Sequence, residues 1–562
     1  MDRPWFQHYD PHVPHTIDYP NITLDQALSN NARRWPDAVA TIIKGGKLTY
    51  ARLDVQVDRL AAALQQFGVQ KGDRVAIHLP NCPQFVIAYY ATLRIGAIAV
   101  PCNSTYVARE LEYQLNDSGA ETLITFSAFY AMVKGIRDRT PLKRVIVAKI
   151  QSYFPPLLGI LFTLLMEKKH GYHADIRGDA ETYWFDELLK TAPLKPAPVV
   201  KEPDDTAVLM YTGGTTGVSK GAQLTHRNLV CNTVQCSYWL NTLDKAPRML
   251  TALPLFHSYA MTSCMNHALF NGGCIILVPN PRDLKDVLNT ITRFKPTIYP
   301  GVPAMYVAIN NNPDVAAGKY DLSSLQACVS GAAGLPGEVQ EKFQKLTGAS
   351  LVEGYGLSEA SPVTHINPVF NGRNRIGYIG LPLPDTDAKI VDVETGEREL
   401  PPGEVGELCI KGPQVMKGYW NMPTETENVL RNGWLYTGDI AIMTEDGFFQ
   451  IQDRKKDMIL GAGGYNVYPR EIEEVLYKHP KVKEVVAAGV QVEARGERPK
   501  VWIVLKEGET ATEEEILAFC EENLAPYKRP RFVEFRDELP KTMVGKVLRR
   551  ELIRQERENK PQ

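Results

Sequence analysis

Tyr211-Thr-Gly-Gly-Thr-Thr-Gly-Val-Ser-Lys220-Gly221 follows a strand-like apolar run over 206–210. From Thr212 to Gly221 it holds four glycines, three threonines, one serine and one lysine. Glycine lets the backbone take positive φ and approach a ligand closely. Turned N–H groups, hydroxyls and one ammonium then make a cradle for phosphate oxygens. The stretch is not a Walker A loop, which needs Gly-Lys-Ser/Thr, because Lys220 stands between Ser219 and Gly221. A flexible surface loop is the plain alternative for any glycine-rich run. The hydroxyl density and the lysine favour an anion site.

Upstream, residues 22–125 alternate between helical and strand patterns. Thr23 caps a helix running to about Arg34, and 50–67 carries apolar residues at helical spacing. Strands are predicted over 75–79, 98–101 and 122–125, with helices over 83–93 and 108–116. Such alternation implies a parallel, doubly wound sheet, which binds ligands beyond the carboxyl ends of its strands.

At 562 residues the chain exceeds a single core and predicts at least two domains. With 44% hydrophobic and 23% charged residues and a formal net charge of −2, it has an ordinary globular composition. That balance argues against a nucleic-acid partner, which calls for a clustered basic excess. Nine cysteines lack CxxC or Cys/His ligand spacing and read as reduced thiols of a cytoplasmic protein. No signal peptide or membrane-spanning run is expected.

One segment departs from the alternation. Residues 154–166, Phe-Pro-Pro-Leu-Leu-Gly-Ile-Leu-Phe-Thr-Leu-Leu-Met, are followed by Glu167, Lys168, Lys169 and His170. The run is too short to cross a bilayer but long enough to lie in its surface, with the two lysines at headgroup level. The alternative is a buried helix or packed insertion. Peripheral contact through 154–169, at the inner face of the membrane, is the more specific expectation.

Later stretches carry further chemistry. Residues 254–259 place His257 among aromatics, where a histidine is commonly a structural residue. Strand 327–330 leads into Gly331-Ala-Ala-Gly334 and a helix started by Pro336; small residues there let a flat ring approach the backbone. Glu353-Gly-Tyr355-Gly356-Leu-Ser358-Glu359 reads as a tight turn after a short strand. Its tyrosine can stack on a base, its serine can bond a phosphate oxygen, and its glutamate can hold Mg²⁺. Asp439, in Tyr436-Thr-Gly-Asp439, is an acceptor-only carboxylate. Strand 447–452 precedes Asp453-Arg-Lys-Lys-Asp457, which by itself is a solvated charge run. A compact α/β unit follows, with helices over 470–478 and 513–523 and strands over 482–489, 501–505 and 531–535. Lys546 then sits in a basic tail.

Residues 211–221 resemble the phosphate-loop signature of the adenylate-forming superfamily, which includes acyl-CoA synthetases, aryl-CoA ligases, luciferases and peptide-synthetase adenylation domains. The later stretches resemble its other motifs, in the family's order and spacing, across nearly the whole chain. Position 358 is serine where the family usually has threonine.

The resemblance implies a large N-terminal domain over 1–453, of doubly wound sheets plus a β-rich subdomain. A hinge joins it to a small α+β C-terminal domain over 454–562. Thr212, Gly213, Gly214, Thr215, Thr216, Gly217 and Lys220 then hold the phosphates of ATP. Gly331, Ala332 and Ala333 line one face of the adenine, Glu353, Gly354, Tyr355 and Gly356 belong to the same nucleotide site with Tyr355 stacking on the base, and Ser358 bonds a phosphate oxygen. Asp439 and Arg454 take the ribose, and Thr215 and Glu359 hold Mg²⁺. His257 and Gly331 border the acyl pocket. Lys546 bridges carboxylate and α-phosphate, so Lys546, Glu359 and Thr215 are the expected catalytic set. Lys456 is the expected pivot, and Gly461, Gly463 and Gly464 the expected channel for a thiol arm.

No carrier domain follows Lys546, so coenzyme A is the expected thiol. The 154–166 insertion and the 453–457 linker most resemble bacterial long-chain fatty-acid–CoA ligases. Fatty acid, ATP and coenzyme A are the expected partners, and a homodimer is left open. A medium-chain or aryl-acid ligase and a non-catalytic nucleotide- or lipid-binding scaffold are the rival readings.

Overall fold

The computed structural model describes residues 3–167, 171–212, 219–460, 466–492, 496–542 and 547–558. The chain packs as two compact units. The larger comprises 6–387 and 411–435; the smaller comprises 1–5, 388–410 and 436–562. The expected 453/454 boundary thus falls inside the smaller unit's own range.

The larger unit is built on two sheets. Eight strands run in the order Gly418–Tyr419, Lys220–Thr225, Thr206–Thr212, Ile98–Pro101, Arg74–His78, Thr122–Phe126, Arg144–Ala148 and Thr182–Trp184. The central pairings are parallel, with Val75 opposite Ala99 on one side and Thr122 on the other. Val75, Ala76, Ile77, Ala99 and Val100 are fully buried, the pattern of strands covered by helices on both faces.

The covering helices show their sequence signals. Thr49 Oγ1 caps Tyr50–Gln66 by accepting from Arg52 N, Pro83 opens Pro83–Arg94, and Ala108–Ser118 ends at Gly119 with φ 64°. A nine-stranded sheet runs Leu381–Pro382, Val363–Ile366, Ser350–Gly356, Ala327–Ser330, Ile298–Gly301, Arg248–Thr251, Cys274–Leu277, Val39–Ile43 and Gly46–Thr49. The α/β, doubly wound expectation is met.

In the smaller unit, Asp387–Val391, Val405–Lys411 and Trp434–Met443 lie side by side, and Phe449–Arg454 pairs with Trp434–Met443. A second sheet joins Val482–Val492, Gly496–Leu505 and Phe532–Phe535. Ile472, Leu476, Ile516 and Cys520 cover one face of it. Leu539 and Leu552 pack on the other, against Trp502 of the sheet itself.

Three expectations change. Residues 353–356 are the end of strand Ser350–Gly356, not a turn, because Val363–Ile366 pairs with them antiparallel. The basic tail is a helix, Arg549–Glu558, because Leu552 is a fully buried anchor. The apolar insertion is not a buried helix. It forms Pro156–Phe162 and continues through Thr163–Glu167, and Leu157 and Leu164 are each 72% exposed. Phe162 stacks on Tyr172 at 5.6 Å and holds the segment down. Lys168 and Lys169 lie outside the described residues. No helix of the described residues is long and apolar enough to cross a membrane.

Candidate active site

The glycine-rich stretch joins two antiparallel strands, Thr206–Thr212 and Lys220–Thr225, with Tyr211 opposite Gly221 and Thr212 opposite Lys220. Gly213, Gly214, Thr215, Thr216 and Gly217 lie outside the described residues. Their rims are tied across the gap, where Ser219 Oγ donates to the Thr212 carbonyl at 2.5 Å. A Cβ at Gly221 would stand 3.2 Å from the Tyr211 ring, so glycine lets that ring lie flat on the partner strand. The Lys220 ammonium pairs with the Glu425 carboxylate and stands 5.3 Å over the Tyr419 ring.

Ser350–Gly356 delivers the second group. Gly356 is forced, because a Cβ there would lie 2.2 Å from the Pro362 carbonyl oxygen. The half-buried Tyr355 ring stands edge-on to His365 at 6.0 Å. Glu353, only 4% exposed, points inward and accepts from Leu335 N at 3.2 Å, fixing the end of the 331–335 loop. In that loop Ala332 takes φ 69°, uncommon for a residue with a Cβ and found chiefly where function holds the backbone. Ala332 and Ala333 are exposed, and Gly331 is buried with its Cα against the Tyr259 ring.

A short turn, Ser358–Ala360, follows that strand. Ser358 Oγ lies 3.2 Å from Ser258 Oγ. Glu359 Oε1 accepts from the Tyr419 phenol at 2.7 Å, and the Glu359 carbonyl accepts from Met416 N at 2.7 Å. Burial foremost, and then Glu359, push the Tyr419 phenol well up, so it stays a protonated donor. One segment, 416–425, therefore holds both the loop lysine and the turn carboxylate. His257 caps the short helix Ser258–Ala260 by accepting from Tyr259 N at 3.2 Å.

Within the smaller unit, Asp439 and Arg454 face each other across paired strands, with Arg454 Nε 2.7 Å from Asp439 Oδ1. Asp439 is 2% exposed, so its charge needs that partner. Lys456 is exposed in a turn closed by Asp457 N and Met458 N on the Arg454 carbonyl. Asp453 closes off the start of helix Pro469–Leu476 by accepting from Arg470 N at 2.8 Å. Arg549, the first residue of the last helix, reaches Asp453 at 3.2 Å, Glu473 at 2.7 Å and Asp457 at 3.5 Å. Gly461, Gly463, Gly464 and Lys546 lie outside the described residues.

The family model described as AMP-binding enzyme matches residues 28–420, and that of the AMP-binding enzyme C-terminal domain matches 471–546. The chain belongs to the AMP-binding enzyme family. It is 46% identical over 560 residues to the long-chain-fatty-acid–CoA ligase of Bacillus subtilis strain 168, covering 99% of each chain. It is 41% identical over 564 residues to the enzyme of the same name from Escherichia coli O6:H1, covering 98% of each. Among solved structures, the anthranilate CoA ligase AuaEII in complex with anthranoyl-AMP superposes with a TM-score of 0.82 at 27% identity. That match covers 95% of this chain and 96% of the other.

Against this family background, the structure gathers Lys220, Ser358, Glu359, Tyr355 and Gly331 within the larger unit, and Asp439 with Arg454 in the smaller. Sequence reasoning missed Tyr419, Glu425, Ser258, Tyr259 and Arg549. Each reaches its partner through tertiary contact, for which no local pattern gives a signal. The Gly418–Tyr419 strand pairing against Ala222 and Gln223 is what brings two of them in.

Proposed function

We propose that this chain converts a long-chain fatty acid, ATP and coenzyme A into acyl-CoA, AMP and pyrophosphate. The observation that carries the reading is the contact chain from Lys220 across Tyr419 to Glu359, with Ser358 beside it. It joins a cation, a carboxylate and a hydroxyl at strand ends of an AMP-binding fold. Identity of 46% over the full length to a chain named long-chain-fatty-acid–CoA ligase supports the substrate class.

A free carboxylate is a poor electrophile because its leaving group is oxide. Its oxygen attacks the α-phosphorus of ATP, and the bond to the bridging oxygen of pyrophosphate breaks. The product is a mixed anhydride whose AMP can leave. Negative charge moves onto pyrophosphate, so positioned cations and dipoles supply most of the catalysis. Lys220 and the 212–217 residues face the departing phosphates, and Lys546 holds carboxylate and α-phosphate together. The thiol of coenzyme A then attacks the acyl carbon, displacing AMP and losing its proton.

The oxygen-only donor set of Glu359 and Thr215 fits Mg²⁺. The Glu359 carboxylate, an acceptor with lone pairs beyond the one that Tyr419 takes, is a hard ligand of the kind the ion prefers. When bound, the ion neutralises phosphate charge. We further assign Asp439 and Arg454 to the ribose, the 331–333 and 353–356 residues to the adenine, and His257 to the acyl pocket. The small domain 454–562 turns about Lys456, exchanging Lys546 for Gly461, Gly463 and Gly464 at one reacting carbon.

The test is carboxylate-dependent exchange of pyrophosphate into ATP, without coenzyme A, over acids from acetate to palmitate, oleate and coumarate. Exchange should peak with the long chains. A peak at coumarate or short acids assigns the rival ligase class. ATP binding with no exchange for any acid assigns a scaffold, provided that adding coenzyme A does not start the first step.

The exposed 156–165 helix supports peripheral contact with the inner face of a membrane. Leu157, Ile160, Leu164 and Leu165 are all exposed, and each buried methylene contributes about 0.8 kcal/mol. Changing Leu157, Leu161 and Leu164 to Ser should release the protein from anionic vesicles in flotation while pyrophosphate exchange in detergent is kept. Unchanged flotation would remove this surface from the reading.

A further inference from the structure

We infer that the helix Ala108–Ser118 is the brace of the phosphate loop, with Tyr113 and Asp117 as its positioning residues. Tyr113 OH donates to the Ser219 carbonyl at 2.8 Å, on the loop's outgoing rim. Tyr211 OH, on the incoming rim, donates to Asp117 Oδ2 at 2.5 Å. The two side chains are four residues apart and so share one face of the helix. One rigid element thus grips both ends of the glycine-rich stretch. This inference rests on the reading of that stretch as the pyrophosphate site.

The helix is fixed well enough to serve as an anchor. Leu111 and Leu115 are fully buried in the cluster that also holds Val100 and Leu209. Gln114 Nε2 donates to the Pro101 carbonyl at 3.0 Å, and Arg74 donates to the carbonyls of Ser118 and Gly119 at 2.7 and 3.0 Å. Burial foremost, and then Asp117, raise both phenols above the ordinary tyrosine value, so each remains a proton donor around neutrality. A donor set stabilises developing charge only when it is held in place beforehand. The Ser219–Thr212 bond closes the stem, and the two aromatic hydroxyls fix the stem against the helix.

The brace acts only where pyrophosphate is present, which separates it from general stabilisation. Tyr113→Phe and Asp117→Ala should each lower acid-dependent pyrophosphate exchange about tenfold, with a higher KM for ATP. Asp117→Asn keeps an acceptor oxygen and should recover most of the rate. Thioester formation from supplied acyl-adenylate and coenzyme A should be unchanged in all three. Equal loss in both half-reactions reduces the pair to structural residues, and unchanged exchange in Tyr113→Phe and Asp117→Ala overturns the inference. Lys220→Met run in parallel isolates the premise: if its exchange is also unchanged, the phosphate-loop reading itself is wrong.

Discussion

Lys546→Ala is expected to cut carboxylate-dependent pyrophosphate exchange about a thousandfold, while thioester formation from supplied acyl-adenylate stays near its original rate. In the first half-reaction two anions, the fatty carboxylate and the α-phosphate, must be brought together. A lysine ammonium does this as a compact point charge. In the second half-reaction the phosphate is leaving and a neutral thiol or its thiolate enters, so that cation has no corresponding task. Lys546→Arg should restore little, because a planar fork cannot occupy the position of a compact ammonium. Stopped assays of the two half-reactions decide the matter. If exchange survives in Lys546→Ala, or both rates fall together, the lysine is not the adenylation residue.

Lys456→Pro should uncouple the same two steps by a different route. The turn from Arg454 to Met458 is closed by two amides on one carbonyl, with Lys455 and Lys456 at its corner. Proline fixes its own φ near −65° and disfavours helical backbone at the residue before it. The substitution therefore opposes this turn and narrows what the hinge can adopt. One half-reaction should fall about a hundredfold and the other should remain, with the melting temperature little changed, since Lys456 is exposed. Equal loss of both rates in folded protein would remove Lys456 as the pivot.

Most of the fold was legible because its signals are local. Thr23 before a helical run, apolar residues at helical spacing over 50–67 and short apolar strands each reflect chemistry within a few residues. Strand Ala327–Ser330 and helix Glu513–Asn523 are found with their predicted bounds. The errors share one cause. Residues 353–356 contain two glycines and read as a turn, but pairing with Val363–Ile366 holds them in a strand. The basic tail near Lys546 carries no helical reading, but Leu552 buries one side of the helix Arg549–Glu558 that follows.

At the candidate site, the residue types proposed to meet substrate could be named from sequence because phosphate and ribose demand particular chemistry. The groups that hold those residues were not. Tyr113, Asp117, Tyr419 and Glu425 could be exchanged for other donors and acceptors without changing any local pattern. Only their tertiary contacts identify them.

The Arg549 cluster bears on how members of this family can be recombined. A chimera cut at the 453/454 boundary would take Asp453 from one parent and Arg549, Asp457 and Glu473 from the other. The guanidinium would then meet a buried acid chosen by a different sequence, three residues from the lysine on which adenylation is proposed to depend. A junction placed before strand Phe449–Arg454 carries all four charges in one inheritance. Domain exchange between relatives should respect that cluster, not the hinge, as the seam.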